Sequence, residues 1–459
     1  MMKEKDLELL KIVGQISENI GLESYVVGGY VRDDLLGIPN DDIDIVVVGS
    51  GIYLAEQVRN NLGGELNVFK NFGTAQIRFP DGTELEFVGA RKESYERGSR
   101  KPICEDGTLQ DDLLRRDFTI NALARSINPR TFGNLVDMFN GVSDLKQRIL
   151  KTPTDSNVTF SDDPLRMLRC IRFAVKLGFA IDQPVFNAIR NNQDRMHIIS
   201  QERITTELNK IMSSPDPARG ISLLHDSNLL WILPRLTELS DIHEEGHKNI
   251  YQHTLQVLDK TAKLSNKLWL RWAALYHDIG KIPTRRCDSQ GNWTFYNHDL
   301  VGAKMIPSIF NQLKQPLDMT KYVQKMVLLH MRPTFMDING ITDSGIRRLV
   351  YDASPDIDDL IILCRSDITT KYEEKQLKHA SRFNQIEQMI QDLKQKDFIR
   401  EFQPVFTGND IMSVFGLKSG PLVGKIKQAL KDAVLDGKVE NSWGVLKDYA
   451  EKIIRRVGN

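Results

Sequence analysis

Seven consecutive residues, Asp42-Ile43-Asp44-Ile45-Val46-Val47-Val48, constrain the fold of this chain more than any other stretch. A run this rich in β-branched side chains reads as a strand, and one this apolar reads as a strand covered on both faces. Asp42 and Asp44 alternate along it, so both side chains project from one face. Two carboxylates side by side next to a core are costly unless a cation neutralises them. Oxygen ligands alone suit Mg²⁺, which keeps waters and substrate phosphates in its remaining positions. Two such ions roughly 4 Å apart stabilise the attacking and leaving oxygens of a phosphoryl transfer. The alternative is a pair of exposed aspartates on an edge strand, which the apolar run and the glycines upstream disfavour.

Those glycines, Gly28-Gly29, end a short strand at Tyr25-Val26-Val27 and precede a helix predicted over Tyr30 to Leu36. Glycines there let backbone N–H groups approach an anion, and a helix N-terminus favours phosphate. A tight turn with no ligand explains the same glycines equally well. An amphipathic helix is predicted over residues 5–20 and another over 52–62. Further strands are expected in GELNVFKNFGTAQIRF and DGTELEFVGAR, around a turn at Asp81-Gly82. From about residue 160 the helical period takes over, as in DDPLRMLRCIRFAVKLGF and QERITTELNKIMSS. The fold class expected is α+β: a small N-terminal mixed-sheet head at 1–150, a helical neck at 151–240, a helical metal domain at 241–395 and a helical tail at 396–459.

With 459 residues, the chain is too long for one ordinary core, and length alone suggests roughly three domains. Lys and Arg balance Asp and Glu at 61 each, so any nucleic-acid surface must be local rather than global. Basic residues cluster over Arg91 to Arg100, at Arg115-Arg116, over Arg166 to Lys176 and over Lys418 to Lys431; solvated helix faces are the alternative for each. The four cysteines, Cys104, Cys170, Cys287 and Cys364, form no CxxC pair. That disfavours a zinc ribbon or a disulfide framework and fits a reducing cytosol. No stretch approaches the roughly 18 apolar residues needed to span a bilayer, so the expectation is a cytoplasmic protein without a membrane partner.

With these residues in view, GGYVRDDLLGIPNDDIDIVV resembles the first signature of the class II tRNA nucleotidyltransferase and bacterial poly(A) polymerase family. LRRDFTINALA resembles its second signature, through Arg115, Arg116, Asp117 and Asn121, and DDPLRMLRCIRFAVKLGF resembles the helix that reads the incoming base. The resemblance implies that Asp42 and Asp44 hold catalytic Mg²⁺ and that Glu86 takes the place of a third strand carboxylate; a solvent-facing strand glutamate is the other reading of Glu86. It implies that Gly28, Gly29 and Arg32 meet the triphosphate, and that Arg116, Asp117, Asn121, Arg169 and Arg172 form the nucleotide site. Asp163 and Arg166 would present a template to CTP and then ATP, a carboxylate and a guanidinium matching the edge of a base. Where the family usually has Glu before the template aspartate, this chain has Asp162, a shorter acid still able to orient Arg166. NFGTAQIRF lacks the basic run of poly(A) members, and SRKPICEDGTLQDDLLRRD looks like the flexible loop of full CCA enzymes. The implied function is addition of C, C and A to tRNA 3′ ends from CTP and ATP; poly(A) synthesis or partial CC or A addition is the alternative. No obligate protein partner is evident.

A second constellation is spread over 115 residues: His253, His277-Asp278 within ALYHDIGK, His298, His330 and Asp367. Imidazole and carboxylate ligands suit Mn, Fe, Ni, Co or Mg. Taken singly, each histidine reads as a helix cap or a core residue. Together, in this order, they resemble the HD phosphohydrolase superfamily, which implies that His253, His277, Asp278 and Asp367 are metal ligands and that His298 and His330 serve a second ion. Lys281 would contact a substrate phosphate. The final segment, from GNDIMSVFGLKSGP onward, resembles the RNA-contacting tail of the nucleotidyltransferases, with Lys418, Lys425 and Lys427 against the tRNA backbone; a plain helical-bundle end is the alternative.

Overall fold

The computed structural model describes residues 3–94, 103–242, 249–336, 342–370, 372–395 and 404–457. It divides into two compact units, residues 1–232 and 233–459.

The first unit opens with α1 (Glu4–Asn19), β1 (Glu23–Val27), α2 (Gly29–Leu36), β2 (Ile43–Val48), α3 (Gly51–Leu62), β3 (Glu65–Phe69), β4 (Thr74–Arg78) and β5 (Glu84–Gly89). It continues through β6 (Arg91–Ser94), β7 (Ile103–Asp106), α4 (Leu109–Leu114), β8 (Leu123–Ser126), β9 (Leu135–Asp137) and α5 (Gly141–Gln147). Seven strands form one sheet in the order β3-β4-β5-β2-β1-β8-β9. Only the β2/β5 pair is parallel; the rest are antiparallel. Central β2 buries Ile43, Ile45, Val46 and Val47, as its apolar run requires, while α3 covers β4 and β5 with Leu54, Ala55 and Val58. Leu109 and Leu113 of α4 pack with Val27, Val46 and Ala124. The strand begins one residue later than the sequence suggested: Asp42 precedes it and is exposed, its N–H bound to Asn40 Oδ1 at 2.9 Å.

The same unit then turns helical: α6 (Ser156–Asp162), α7 (Leu165–Leu177), α8 (Gln183–Asn192), α9 (Gln201–Met212) and α10 (Pro217–Asp226). A two-residue parallel pair, β10 (Ile149–Leu150) with β11 (Ala180–Ile181), pins the end of α7 to the head.

The second unit comprises α11 (Leu236–Ser240), α12 (Ile250–Leu264), α13 (Leu268–Tyr276), α14 (Lys281–Thr284), the hairpin β12 (Arg286–Cys287) with β13 (Trp293–Thr294), α15 (His298–Gln312) and α16 (Leu317–Leu329). There follow α17 (Arg332–Phe335), α18 (Asp343–Ala353), α19 (Ile357–Asp367), α20 (Glu373–Gln395), α21 (Gly408–Phe415), α22 (Pro421–Leu435) and α23 (Trp443–Val457). The last three helices share a small core of Phe406, Ile411, Ile426, Leu430 and Leu446. Arg348 of α18 joins this bundle through Asp436 at 2.6 Å. Among the described residues no helix is long and apolar enough to cross a membrane. None of the four cysteines is in a disulfide among the described residues.

Candidate active site and metal centre

In the first unit a cleft of about 1060 Å³ collects residues that are far apart in sequence. Gly28, Gly29 and Arg32 come from the β1–α2 turn, Asp42 and Asp44 from the start of β2, and Arg116, Asp117 and Asn121 from the segment after α4. Asp163, Arg166, Arg169 and Arg172 come from α7 and its approach. Gly28 has φ +69°, a left-handed conformation that favours glycine, and a Cβ there would lie 2.7 Å from the end of the Arg116 side chain. No side chain caps the N-terminus of α2.

Asp44 sits beside Glu86 in the parallel register of β2 and β5. Burial, then the charges of Glu86 and Asp42, push its carboxyl up to about 6, against the pull of Arg116. A carboxylate held this unfavourably is one that a cation would relieve. Glu86 is exposed and does not line the cleft, so its place is beside the aspartates rather than among the residues facing the cavity.

Behind the cleft a buried polar chain fixes the arginines. Arg32 donates to Asn121 Oδ1 at 2.6 Å, Asn121 donates to Asp117 Oδ1 at 2.9 Å, and Arg169 Nε donates to Asp117 Oδ2 at 2.7 Å. Burial alone would raise the Asp117 carboxyl; Arg169, Asn121 and Arg166 hold it below its usual value. Arg116 is clamped by Asp112 at 2.9 Å, and Arg172 lies 4.4 Å from the centre of the Phe173 ring. Asp117→Ala would leave Arg169 without its partner in this buried network and is expected to cost about 3 kcal/mol, read from the midpoint of denaturant unfolding; an unchanged midpoint would refute the account.

The sequence places Asp163 and Arg166 on one helix, but the chain breaks between them. Asp163 is the extended residue between α6 and α7, where its carboxylate accepts from Leu165 N–H at 3.3 Å; Arg166, in the first turn of α7, donates to the Arg115 carbonyl at 2.6 Å. Neighbouring Asp162 is half-buried and its carboxyl is raised by burial, against the pull of Arg166. Arg115 and Lys176, both in basic clusters marked in the sequence, also line the cleft, and so do Arg203 and Lys210, which sequence reasoning missed. Arg203 and Lys210 flank buried Glu207 at i, i+4, i+7 spacing on α9, a signal that was available. Nine Arg and Lys face five Asp across the cleft, a cationic bias suited to a polyanion. Of the loop-like segment, residues 99–102 lie outside the described residues, as do 95–98; Ile103–Asp106 pairs with Arg91–Ser94.

In the second unit the histidines converge. His253 lies on α12, His277-Asp278 follow α13, His298 opens α15, His330 follows α16 and Asp367 ends α19. His253 Nε2 is 2.8 Å from Asp367 Oδ1, and His277 Nε2 is 3.2 Å from Asp278 Oδ2. The other oxygen of Asp278 faces His298 Nε2 at 3.4 Å and His330 Nε2 at 3.9 Å. Two ligand groups result, His253/His277/Asp278 and Asp278/His298/His330, with the aspartate common to both. Gly280, the glycine of HDIGK, makes this approach possible, because a Cβ there would lie 1.9 Å from the His298 carbonyl.

The hydrogen bonding fits a metal. His277, His298 and His330 each direct Nδ1 at a backbone carbonyl three residues earlier, at 2.8, 2.9 and 2.6 Å. Their Nε2 atoms are buried with no hydrogen-bond partner among the described residues. An imidazole that donates from one nitrogen and aims the other at a shared carboxylate is arranged as a ligand. Burial opposes charge on His277, yet Asp278 and Asp367 push it up to about 10; burial and the neighbouring His277 drive His330 down to about 4. Both carboxylates stay well below their usual range despite burial, held there by the histidines.

Residues 24–151 match the family described as the poly A polymerase head domain, 178–239 match the probable RNA and SrmB-binding site of polymerase A, and 250–371 match the HD domain. An A-adding tRNA nucleotidyltransferase of Deinococcus radiodurans is 32% identical over 344 residues, covering 72% of this chain and 76% of that protein. The chain belongs to the tRNA nucleotidyltransferase and poly(A) polymerase family. Another relative, the CC-adding tRNA nucleotidyltransferase of Thermus thermophilus, is 30% identical over 437 residues and 91% of each chain. The fold of this nucleotidyltransferase is also that of the CCA-adding enzyme of Bacillus stearothermophilus in complex with CTP, with TM-score 0.67 and 22% identity over 100% of this chain and 99% of that one. The head and HD domains both suggest divalent metals, and in the HD domain two groups of His and Asp could hold them.

Of the tail lysines, Lys418 precedes α22, and Lys425 and Lys427 lie on it; all three are exposed. Lys425 and Lys427 are two residues apart on a helix and project from different sides, so one phosphate cannot meet both.

Proposed function

We propose that this protein adds cytidine, cytidine and adenosine to the 3′ end of tRNA, using CTP and ATP. The observation that carries the reading is the single cleft in which the aspartate pair, the glycine turn and the Asp163/Arg166 pair face one another. Asp42 and Asp44, with Glu86 beside them, would hold Mg²⁺. When bound, such ions lower the barrier by stabilising the charge that develops on the attacking and leaving oxygens. Gly28, Gly29, Arg32 and Arg116 seat the triphosphate, and Asn121 and Asp117 keep Arg32 and Arg169 in place. The tRNA 3′-hydroxyl gives up its proton to water and attacks the α-phosphorus, the α–β anhydride bond breaks, and pyrophosphate leaves with the pair of electrons. Asp163 and Arg166 offer an acceptor and donors to the incoming base, and Arg172 stacks beside it on Phe173. Lys418, Lys425 and Lys427 contact separate phosphates of the tRNA. The four-part division into head, neck, HD domain and tail, as read from the sequence, is the functional division we propose, and the reactions assign the protein to the cytoplasm.

The HD centre supports a second, independent activity. His253, His277, Asp278 and Asp367, with His298 and His330, would hold Mn, Fe, Ni, Co or Mg ions, and the buried unpartnered Nε2 atoms fit that role. Its substrates are phosphoesters such as 2′,3′-cyclic phosphates and phosphomonoesters, with water as nucleophile and Lys281 on a phosphate oxygen.

Partial addition is the competing reading, favoured by the names of the A-adding and CC-adding relatives. A tRNA ending at its discriminator base, incubated with Mg²⁺ and each labelled triphosphate, separates them. Incorporation of two C and one A is the expected result. Addition of A only to tRNA already ending in CC, or of C only, replaces this reading with the partial one. Open-ended A addition makes the protein a poly(A) polymerase.

A further inference from the structure

The loop that joins α2 to β2, residues 37–42, carries a cleft residue to which the mechanism so far gives no role, Asn40. Its amide nitrogen lies against the glycine turn, 3.6 Å from where a Cβ on Gly29 would stand. Asn40 Nδ2 donates to Asp33 Oδ2 at 2.8 Å, and Asn40 Oδ1 accepts from the Asp42 N–H at 2.9 Å. The other oxygen of Asp33 accepts from Arg32 Nε at 2.7 Å. Arg32 and Asp33 are only 3% and 2% exposed, so this pair is firmly placed. The Ile38 N–H donates to the Asp33 carbonyl at 2.8 Å, which ties the loop to Asp33 through its backbone as well as its side chain. Arg32, Asp33, Asn40 and Asp42 all line the same cleft.

An unbroken chain of hydrogen bonds therefore runs from the Arg32 guanidinium to the backbone of Asp42. Asp42 depends on it, because the register of β2 on β5 begins at Ile43 and the sheet does not hold the residue before. A side-chain amide suits the link: one end must donate to a carboxylate while the other accepts from an N–H, and asparagine carries both on a short stem. We propose that Asn40 is a positioning residue that sets Asp42 relative to Arg32, so that the divalent ion and the triphosphate are received in register. The inference rests on the cation site and the triphosphate contact given above. With both groups held in one chain, an ion at Asp42 and a triphosphate at Arg32 strengthen each other's binding, by the reciprocity of linked equilibria.

Asn40→Ala and Asn40→Asp in the full-length protein test it. Calorimetric titration with CTP, in the absence of tRNA so that nothing turns over, is carried out in chelator and again in Mg²⁺, and the ratio of the two affinities reads the link. In chelator Arg32 keeps its bonds to Asp33 and Asn121, so Asn40→Ala should bind CTP as the parent does. The gain that Mg²⁺ gives the parent should shrink by roughly tenfold in Asn40→Ala, the usual size of losing a group that orients a metal ligand. In nucleotide addition the same variant should need roughly tenfold more Mg²⁺ for half its maximal rate and recover most of kcat at saturation. Asn40→Asp keeps the acceptor for the Asp42 N–H, and with it the local turn, but sets a carboxylate against Asp33. It should lose the Mg²⁺ gain as alanine does, and it carries the test if alanine lowers the melting temperature. A parental gain in Asn40→Asp would reduce Asn40 to a local turn former, and a parental gain in Asn40→Ala would leave it no part in the site; either result overturns the inference. If the parent itself binds CTP no better in Mg²⁺ than in chelator, the cation site beneath the inference falls instead.

Discussion

Asp44→Asn should reduce nucleotide addition by roughly thousandfold or more, about 4 kcal/mol of transition-state stabilisation. It should at the same time make the metal-free protein more stable at neutral pH. Both outcomes follow from one arrangement. Asp44 is placed beside Glu86 at the buried start of β2, and its carboxyl is pushed up to about 6 by burial and then by Glu86. A carboxyl whose folded value lies above the unfolded one binds its proton more tightly in the folded state. Its ionised form is therefore the costly one: stability is lost as pH rises from the ordinary carboxylate range through about 6, and the deficit is complete at pH 7. Asparagine has no ionised form, so the variant escapes a deficit of about 3 kcal/mol. Thermal melts in chelator should show the variant ahead of the parent at pH 7.5, with the gap closing towards pH 4.5. Saturating Mg²⁺ should stabilise the parent more than the variant. A variant that retains nucleotide addition, or that melts below the parent at pH 7.5, would mean that the strand carboxylates are not a cation site.

The parts of this molecule visible in the sequence are those whose chemistry is local. The Gly28-Gly29 turn, the β2 run and the amphipathic period of α7 are each written within about a dozen residues, and each lies where its pattern placed it. Asp42 was read into the strand because alternation alone cannot tell the last loop residue from the first strand residue. The break between Asp163 and Arg166 escaped because Pro164 is tolerated at a helix start, so the periodic pattern runs through it. What the sequence hides is pairing at a distance. Nothing near Asn121 announces that it bonds Arg32, 89 residues away. Nothing in β10 announces β11, and the lysine and arginine of α9 enter the cleft only because α9 packs on α7. The metal centre lies between these extremes. Its ligands and a second ion for His298 and His330 were legible, but that Asp278 belongs to both groups, through a different oxygen for each, follows only from how the helices pack.

That shared oxygen pair gives Asp278→Asn the larger consequence in the second unit. Asp278 is 2% exposed and touches every part of the centre: Oδ2 lies near His277, His253 and Lys281, and Oδ1 near His298 and His330. The substitution keeps size and shape but removes the charge common to both ligand groups, so both ions should be lost together. Phosphoester hydrolysis should fall by roughly thousandfold or more, while CTP and ATP addition to tRNA proceeds at the parental rate. His330→Ala removes a ligand from one group only and should halve the bound metal rather than abolish it. Metal content by mass spectrometry after dialysis separates the two. A second consequence concerns His277, pushed up to about 10 against burial by Asp278 first and then Asp367. Without Asp278, burial dominates, and the imidazole should become neutral at pH 7 in metal-free protein, visible as a shift in its ring proton resonances. If Asp278→Asn keeps both ions, the six side chains are a buried hydrogen-bonded cluster and not a metal centre. If it stops nucleotide addition as well, the two sites are energetically one.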